Sequence, residues 1–264
     1  PVTIPGPARA HLAEEAMSPS NTPGLALLVT GTDMGVGKTY VAAGLAHLLR
    51  DRGIDVGVMK PIELGWSRDD GAWPPDADML RQAAGVDDPI EDVVPYVFED
   101  MVAPQVAADR MRTPIEAEVM KAALDRLRAK HQIVIVEGAG GLAVPIDDGY
   151  DLASFAVDCQ LPVLIVSRAH VGTLNHTFLT THYAQSRGLD VVGVVANRLD
   201  RSLHDPSTPT NAKMIERMCK VPVLGVVPFR PESDTLEDVV DTCGECFDLD
   251  TFLTRVGLAE ARTN

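Results

Sequence analysis

Residues 25–39 read Leu-Ala-Leu-Leu-Val-Thr-Gly-Thr-Asp-Met-Gly-Val-Gly-Lys-Thr. An apolar run, Leu25–Thr30, predicts a buried strand. It feeds a glycine-rich loop that closes on Gly37-Lys38-Thr39, where a helix is expected to begin near Lys38. Glycines let backbone N–H groups turn inward around phosphate oxygens. The helix start aims the positive end of its dipole at the same phosphates. In such a loop, here Gly35-Val36-Gly37-Lys38-Thr39, Lys38 reaches the β- and γ-phosphates and the Thr39 hydroxyl takes Mg²⁺. Five residues, not four, separate Gly31 from Gly37, so Thr32 stands where the first glycine of the usual pattern would be. The expectation is an enzyme acting on a nucleoside triphosphate.

Outward from this loop, five more apolar runs are candidate strands: Val56–Met59, Ile133–Val136, Val163–Val166, Val191–Val195 and Val223–Val227. They are continuous Val/Ile/Leu runs without polar alternation, as strands covered on both faces require. Helical patterns lie between them. Thr113-Pro114-Ile115-Glu116 reads as an N-cap with Pro at N1 and Glu at N3. A second helix is expected from about Thr173 to a stop at Gly188. Strand–helix alternation predicts an α/β fold, a doubly wound and mainly parallel sheet flanked by helices. With no internal repeat or linker, residues 24–264 read as one domain.

The 264 residues carry a net charge of −15, with 45% hydrophobic and 23% charged side chains. A soluble globular protein fits these values. The acidic balance argues against nucleic acid, which needs a basic face, and against anionic membranes. No apolar run has the length of a transmembrane helix. Residues 1–23 are proline-rich without a signal-peptide core and read as a disordered tail. Residues 1–16 are expected to be an extension, with Met17 as the natural start. Cys159, Cys219, Cys243 and Cys246 include one C-x-x-C but no second pair at metal spacing. They are expected to be free thiols of a cytoplasmic protein.

Doubly wound sheets bind ligands at the carboxyl ends of their strands. That selects Lys60, Glu137, Ser167, Asn197 and Pro228. Glu137 opens Glu-Gly-Ala-Gly-Gly and is a candidate metal ligand beside the phosphate loop, or simply a cap before a turn. Lys60 is a candidate second cation over a phosphoryl group. Asp78, in Pro-Asp-Ala-Asp-Met-Leu, is indistinguishable from a surface acid by pattern alone. Asn175 sits at a predicted helix start, as a first-turn residue or beside N–H groups that bind a carboxylate. Asn197 either reads a nucleobase edge or caps a turn. His170 and His176 lack metal-spaced partners.

Five segments in fixed order, Gly-Thr-Asp-Met-Gly-Val-Gly-Lys-Thr, Met-Lys-Pro-Ile-Glu, Val-Glu-Gly-Ala-Gly-Gly-Leu, Val-Gly-Thr-Leu-Asn-His and Gly-Val-Val-Ala-Asn, resemble the dethiobiotin synthetase family over residues 25–230. The resemblance implies a homodimer with a shared active site. It also implies Mg²⁺- and ATP-dependent ring closure of 7,8-diaminononanoate with CO₂, giving dethiobiotin, ADP and phosphate through a carbamate and its mixed anhydride. Carried over by motif, Thr39, Asp78 and Glu137 are the Mg²⁺ ligands, and Lys38 and Lys60 stabilise charge. Tyr40, Gly138, Ala139 and Gly140 join the nucleotide site, with Asn197, Arg198, Pro228, Phe229 and Arg230 at the base. Lys60 and Leu64 face the substrate. Gly172, Thr173, Leu174 and Asn175 hold its carboxylate across the dimer interface.

Three positions depart from the family pattern. Met34 stands for a usual Thr, Leu64 for Ser or Thr, and Gln105 for a common His, all expected at the reacting end of the substrate. Two rival classes are a partition-type switch ATPase and an amide-forming ligase of cofactor synthesis. The first normally has an early loop lysine where this chain has Asp33. The second normally carries a fused glutamine-hydrolysing domain, for which the sequence is too short.

Overall fold

The computed structural model describes residues 23–67, 72–230 and 235–258. The expected disordered tail, and the question of Met17 as a start, lie outside these residues. The chain runs β1 (Leu25–Gly31), α1 (Lys38–Asp51), β2 (Val56–Met59), β3 (Ile62–Leu64), α2 (Pro75–Ala84), α3 (Ile90–Val93), β4 (Tyr96–Phe98), α4 (Pro104–Met111) and α5 (Ala117–Arg128). It continues with β5 (Ile133–Gly141), β6 (Pro145–Asp147), β7 (Tyr150–Asp151), α6 (Leu152–Asp158), β8 (Val163–Arg168) and α7 (Thr173–Ser186). Then come β9 (Val191–Leu199), α8 (Thr208–Cys219), β10 (Val223–Pro228), α9 (Leu236–Cys246) and α10 (Leu249–Arg255).

Six of these strands form one parallel sheet in the order β10-β9-β8-β1-β5-β2. The six apolar runs of the sequence are these six strands. Each buries both faces because side chains alternate across it. In β1, Leu27 and Val29 enter one core with α1, α2, α9 and α10. Ala26 and Leu28 enter the other with α4, α5, α6, α7 and α8. The sheet is thus covered on both sides, as its patterning demanded.

β5 and β8 flank β1 on opposite sides. The crevice at the carboxyl end of β1 is therefore the switch point where ligands bind in such sheets.

One local expectation fails. Thr113 does not cap a helix: α5 starts at Ala117, with Glu116 extended before it. Ile115 is buried in the core, and the Glu116 N–H donates to the Tyr96 hydroxyl at 2.9 Å. These contacts hold the segment extended, and the residue before Pro114 already disfavours helix. The α7 expectation holds to within two residues. Gly188 follows the helix with φ 78°, its N–H donating to Gln185.

Candidate active site

The glycine loop sits between β1 and α1 as its pattern predicts. Gly37 has φ 87° and directly precedes α1. A Cβ there would lie 2.2 Å from Asn197 Nδ2, so only glycine fits. Lys38 and Thr39 open the helix. Lys38 is nearly buried, and its ammonium turns back onto the Asp33 carbonyl at 3.3 Å. Burial lowers its pKa, against the pull of Glu137.

Beside the loop, side chains from four elements converge. Glu137, on β5, is 1% exposed. Its Oε1 accepts from the Thr39 hydroxyl at 2.8 Å and from the Lys60 ammonium at 2.6 Å. Lys60, just past β2, also donates to Asp76 Oδ2 at 2.6 Å. Burial alone would lower the Lys60 pKa, but Glu137 and Asp76 more than offset it and hold the ammonium charged. Burial raises the pKa of Glu137, while Lys60 opposes the shift. Its second oxygen, Oε2, is buried without a partner. Glu63, on β3, is pushed up to about 7, chiefly by burial. Three carboxyl groups, Glu63, Asp76 and Glu137, thus surround Lys60.

Lys38, Thr39, Lys60, Asp76 and Glu137 line a cleft of about 460 Å³. Gly35, Gly37, Ala139, Gly140 and Arg198 complete its polar rim, and Met34, Ile62, Leu64 and Met101 form an apolar wall. Gly138 lies under Leu152, whose Cδ2 would sit 2.2 Å from an added Cβ. Val36 is fully buried behind the loop, and the Tyr40 hydroxyl reaches the Asp238 carbonyl at 3.4 Å.

Three residues expected at the site sit differently in this geometry. Asp78 is not at the site: it accepts from Arg81 at 2.9 Å and from Gln82 at 2.7 Å, along its own helix. Asp76 takes the place instead. Two residues apart on a helix project about 200° apart, so only one of the pair can face the cleft. Asn197 is buried at 3% exposure, and its amide donates to the carbonyls of Val36 at 2.9 Å and Gly37 at 3.4 Å. These bonds brace the loop through the donor edge of the amide. Gln105 points elsewhere, donating to Asp148 at 2.7 Å.

Arg198, with φ 60°, stacks its guanidinium on Phe229 at 4.8 Å. Phe229 follows Pro228 at the end of β10, and Arg230 pairs with Glu245 at 3.1 Å. Residues 172–175 do not line the cleft. Gly172 precedes α7 with φ 92°, Asn175 is exposed and Leu174 packs partly into the core. Thr173 lines a separate hollow of about 290 Å³ with Asp33 and Arg168. Sequence reasoning missed Asp76, Glu63, Ile62 and Met101; only side-chain direction distinguishes Asp76 from Asp78. The four cysteines are free, as expected.

The family described as "AAA domain" matches residues 26–236. The ATP-dependent dethiobiotin synthetase BioD of Bacillus subtilis (strain 168) is 40% identical over 232 residues, 87% of this chain and 98% of its own length. The same enzyme of Anaeromyxobacter dehalogenans (strain 2CP-C) is 41% identical over 206 residues, covering 78% and 91%. That of Aquifex aeolicus (strain VF5) is 40% identical over 204 residues, covering 77% and 87%. Among solved structures, the cell division ATPase MinD of Pyrococcus furiosus matches with a TM-score of 0.55 at 23% identity, over 91% of this chain and all of that one. That likeness concerns the fold alone. The glycine loop, the two lysines and the carboxylates around them, in a chain so similar to these synthetases, place it in the ATP-dependent dethiobiotin synthetase family, as a P-loop ligase of biotin biosynthesis.

Proposed function

We propose that the cleft carboxylates and closes 7,8-diaminononanoate with CO₂ to dethiobiotin, converting ATP to ADP and phosphate. One observation carries this most directly: Lys38, Thr39, Lys60, Asp76 and Glu137 converge beside a phosphate loop, in a cleft that Met34, Ile62, Leu64 and Met101 also line. The polar groups suit phosphates and the apolar ones a methylene chain.

The loop N–H groups cradle the phosphates. Lys38 and Lys60 supply positive charge where it builds on the transferring phosphoryl group. One substrate amine adds CO₂ to form a carbamate. A carbamate oxygen takes the γ-phosphoryl group and ADP leaves. The second amine then attacks the activated carbon and expels phosphate. No nucleophilic side chain is required, and positioning supplies most of the rate.

Mg²⁺ fits this donor set. Thr39, Asp76 and Glu137 offer hard oxygens, and Glu137 Oε2 is buried without a partner. Among the described residues no group of three or more His, Cys, Asp or Glu side chains could hold a metal ion by itself. An open set suits an ion that keeps waters and takes phosphate oxygens. When bound, the ion neutralises phosphate charge.

The protein acts as a homodimer, with residues 172–175 of one subunit holding the substrate carboxylate at the partner's cleft. Val171, Phe178 and Leu179, on and before α7, are exposed apolar side chains that such a contact would cover. None of the helices among the described residues is long and apolar enough to cross a membrane. Phosphate release from ATP and Mg²⁺, with and without the diamine and bicarbonate, tests the proposal. Release that ignores the diamine overturns it.

A further inference from the structure

His170 stands two residues past β8 and takes no part in the chemistry above. Its side chain is 16% exposed and turns toward the end of β9. Arg168 pairs with Asn197 across β8 and β9, and the Ala169 N–H donates to the Asn197 carbonyl at 2.9 Å. The ring carries this contact past the strands. Its Nε2 lies 2.9 Å from the backbone nitrogen of Asp200 and 2.9 Å from the Arg198 carbonyl oxygen. An imidazole nitrogen either accepts through its lone pair or donates through its N–H. In one tautomer Nε2 accepts from Asp200, and in the other it donates to Arg198, so it bonds this segment in both.

The segment so held is strained. Arg198 has φ 60°, a left-handed backbone that residues other than glycine rarely adopt. Such strain persists only where the surroundings over-determine the conformation. On one side Asn197 is tied to the phosphate loop, and on the other the Phe229 N–H donates to the Leu199 carbonyl at 2.9 Å. His170 supplies the contacts to residues 198 and 200. The ring is oriented in turn by Asp205, whose Oδ2 lies 3.7 Å from Nδ1 and accepts from the Val171 N–H at 2.6 Å. Arg198 lines the cleft, and its guanidinium lies 4.8 Å over the Phe229 ring.

We propose that His170 is a positioning residue for the nucleotide: by pinning residues 198–200, it holds the stacked Arg198 and Phe229 where the base of ATP docks. An aromatic ring and a guanidinium are both surfaces on which a base stacks. His170 does not itself line the cleft, so its effect falls on affinity for the base and not on the phosphates. This inference rests on Arg198 and Phe229 serving the base.

The test compares two probes by titration calorimetry: a non-hydrolysable ATP analogue, and inorganic triphosphate, which has the phosphates without the base. His170→Leu removes both ring nitrogens. His170→Gln keeps a donor and an acceptor at the reach of Nε2, and His170→Asn keeps them only at the reach of Nδ1. Loss of one such bond corresponds to up to about tenfold in an equilibrium constant. The Leu and Asn variants are expected to bind the analogue about tenfold more weakly and triphosphate as wild type does, with Gln near wild type for both. KM for ATP is expected to rise by the same factor while KM for the diamine stays unchanged. Wild-type analogue affinity in Leu or Asn overturns the proposal, as does an equal loss for both probes or a Gln variant as weak as Leu. If circular dichroism shows the Leu variant unfolded, Asn takes its place. Arg198→Ala separates the two claims. Unchanged analogue affinity there means the base docks elsewhere and removes both, whereas a loss there without one in Asn removes only the role of His170.

Discussion

At the residue scale, the site depends on which way single side chains face. Asp76 and Asp78 share a helix turn, yet Asp76 pairs with Lys60 while Asp78 pairs with Arg81 and Gln82. Asp76→Asn is expected to raise the Mg²⁺ concentration for half-maximal activity by tenfold or more, and Asp78→Asn to leave it unchanged. The two Mg²⁺ titrations run side by side check this, and the opposite order refutes it. Lys38→Ala removes a fixed cation beside the phosphates. Losses of this kind are about 3–4 kcal/mol, or about 10²–10³ in kcat. A near-normal kcat would remove the loop from the mechanism. Met34 and Leu64 put apolar groups on the wall of the cleft. Each hydrogen bond regained there is worth about 0.5–1.5 kcal/mol. Met34→Thr with Leu64→Ser is therefore expected to lower KM for the diamine by about tenfold with little change in KM for ATP. A raised KM for the diamine reopens the substrate assignment.

At the scale of elements, the loop helix α1 is held against α9 by a close approach. A Cβ at Gly44 would lie 2.3 Å from Cys243 Sγ and 2.7 Å from its Cβ. Overpacking of this kind costs about 1–3 kcal/mol. Gly44→Val is expected to lower stability by that amount, seen as a reduced urea midpoint at unchanged slope. Cys243 is 2% exposed, and burial pushes its thiol up to about 12. It is expected to resist a thiol reagent in the native protein near neutral pH and to react on unfolding, because the thiolate is the reactive form. Rapid native labelling of Cys243, located by mass spectrometry, contradicts this packing.

At the scale of the whole molecule, residues 172–175 and the Lys60 cleft lie apart within one subunit. A shared site predicts complementation. Mixing inactive Asn175→Ala and Lys60→Ala subunits gives heterodimers with one intact composite site and one doubly damaged site. Activity is expected to return toward half of wild type per heterodimer after subunit exchange. No recovery, with exchange verified, removes the shared site.

The sequence by itself determined the sheet, its parallel sense and the phosphate loop. Continuous apolar runs and Gly-Lys-Thr at a strand-to-helix turn are local signals, written in adjacent residues. Glu137 and Lys60 were legible for the same reason, since each follows a strand whose limits the apolar run marks. What only the tertiary structure decided depends on direction and on partners remote in sequence. Helix rotation chose Asp76 over Asp78. The backbone of residues 36–37 took the donor edge of Asn197. Tyr96 and the core kept residues 113–116 out of α5 against a favourable capping pattern. Such choices are made where elements meet, because a buried polar group must find its partner wherever the fold has placed one.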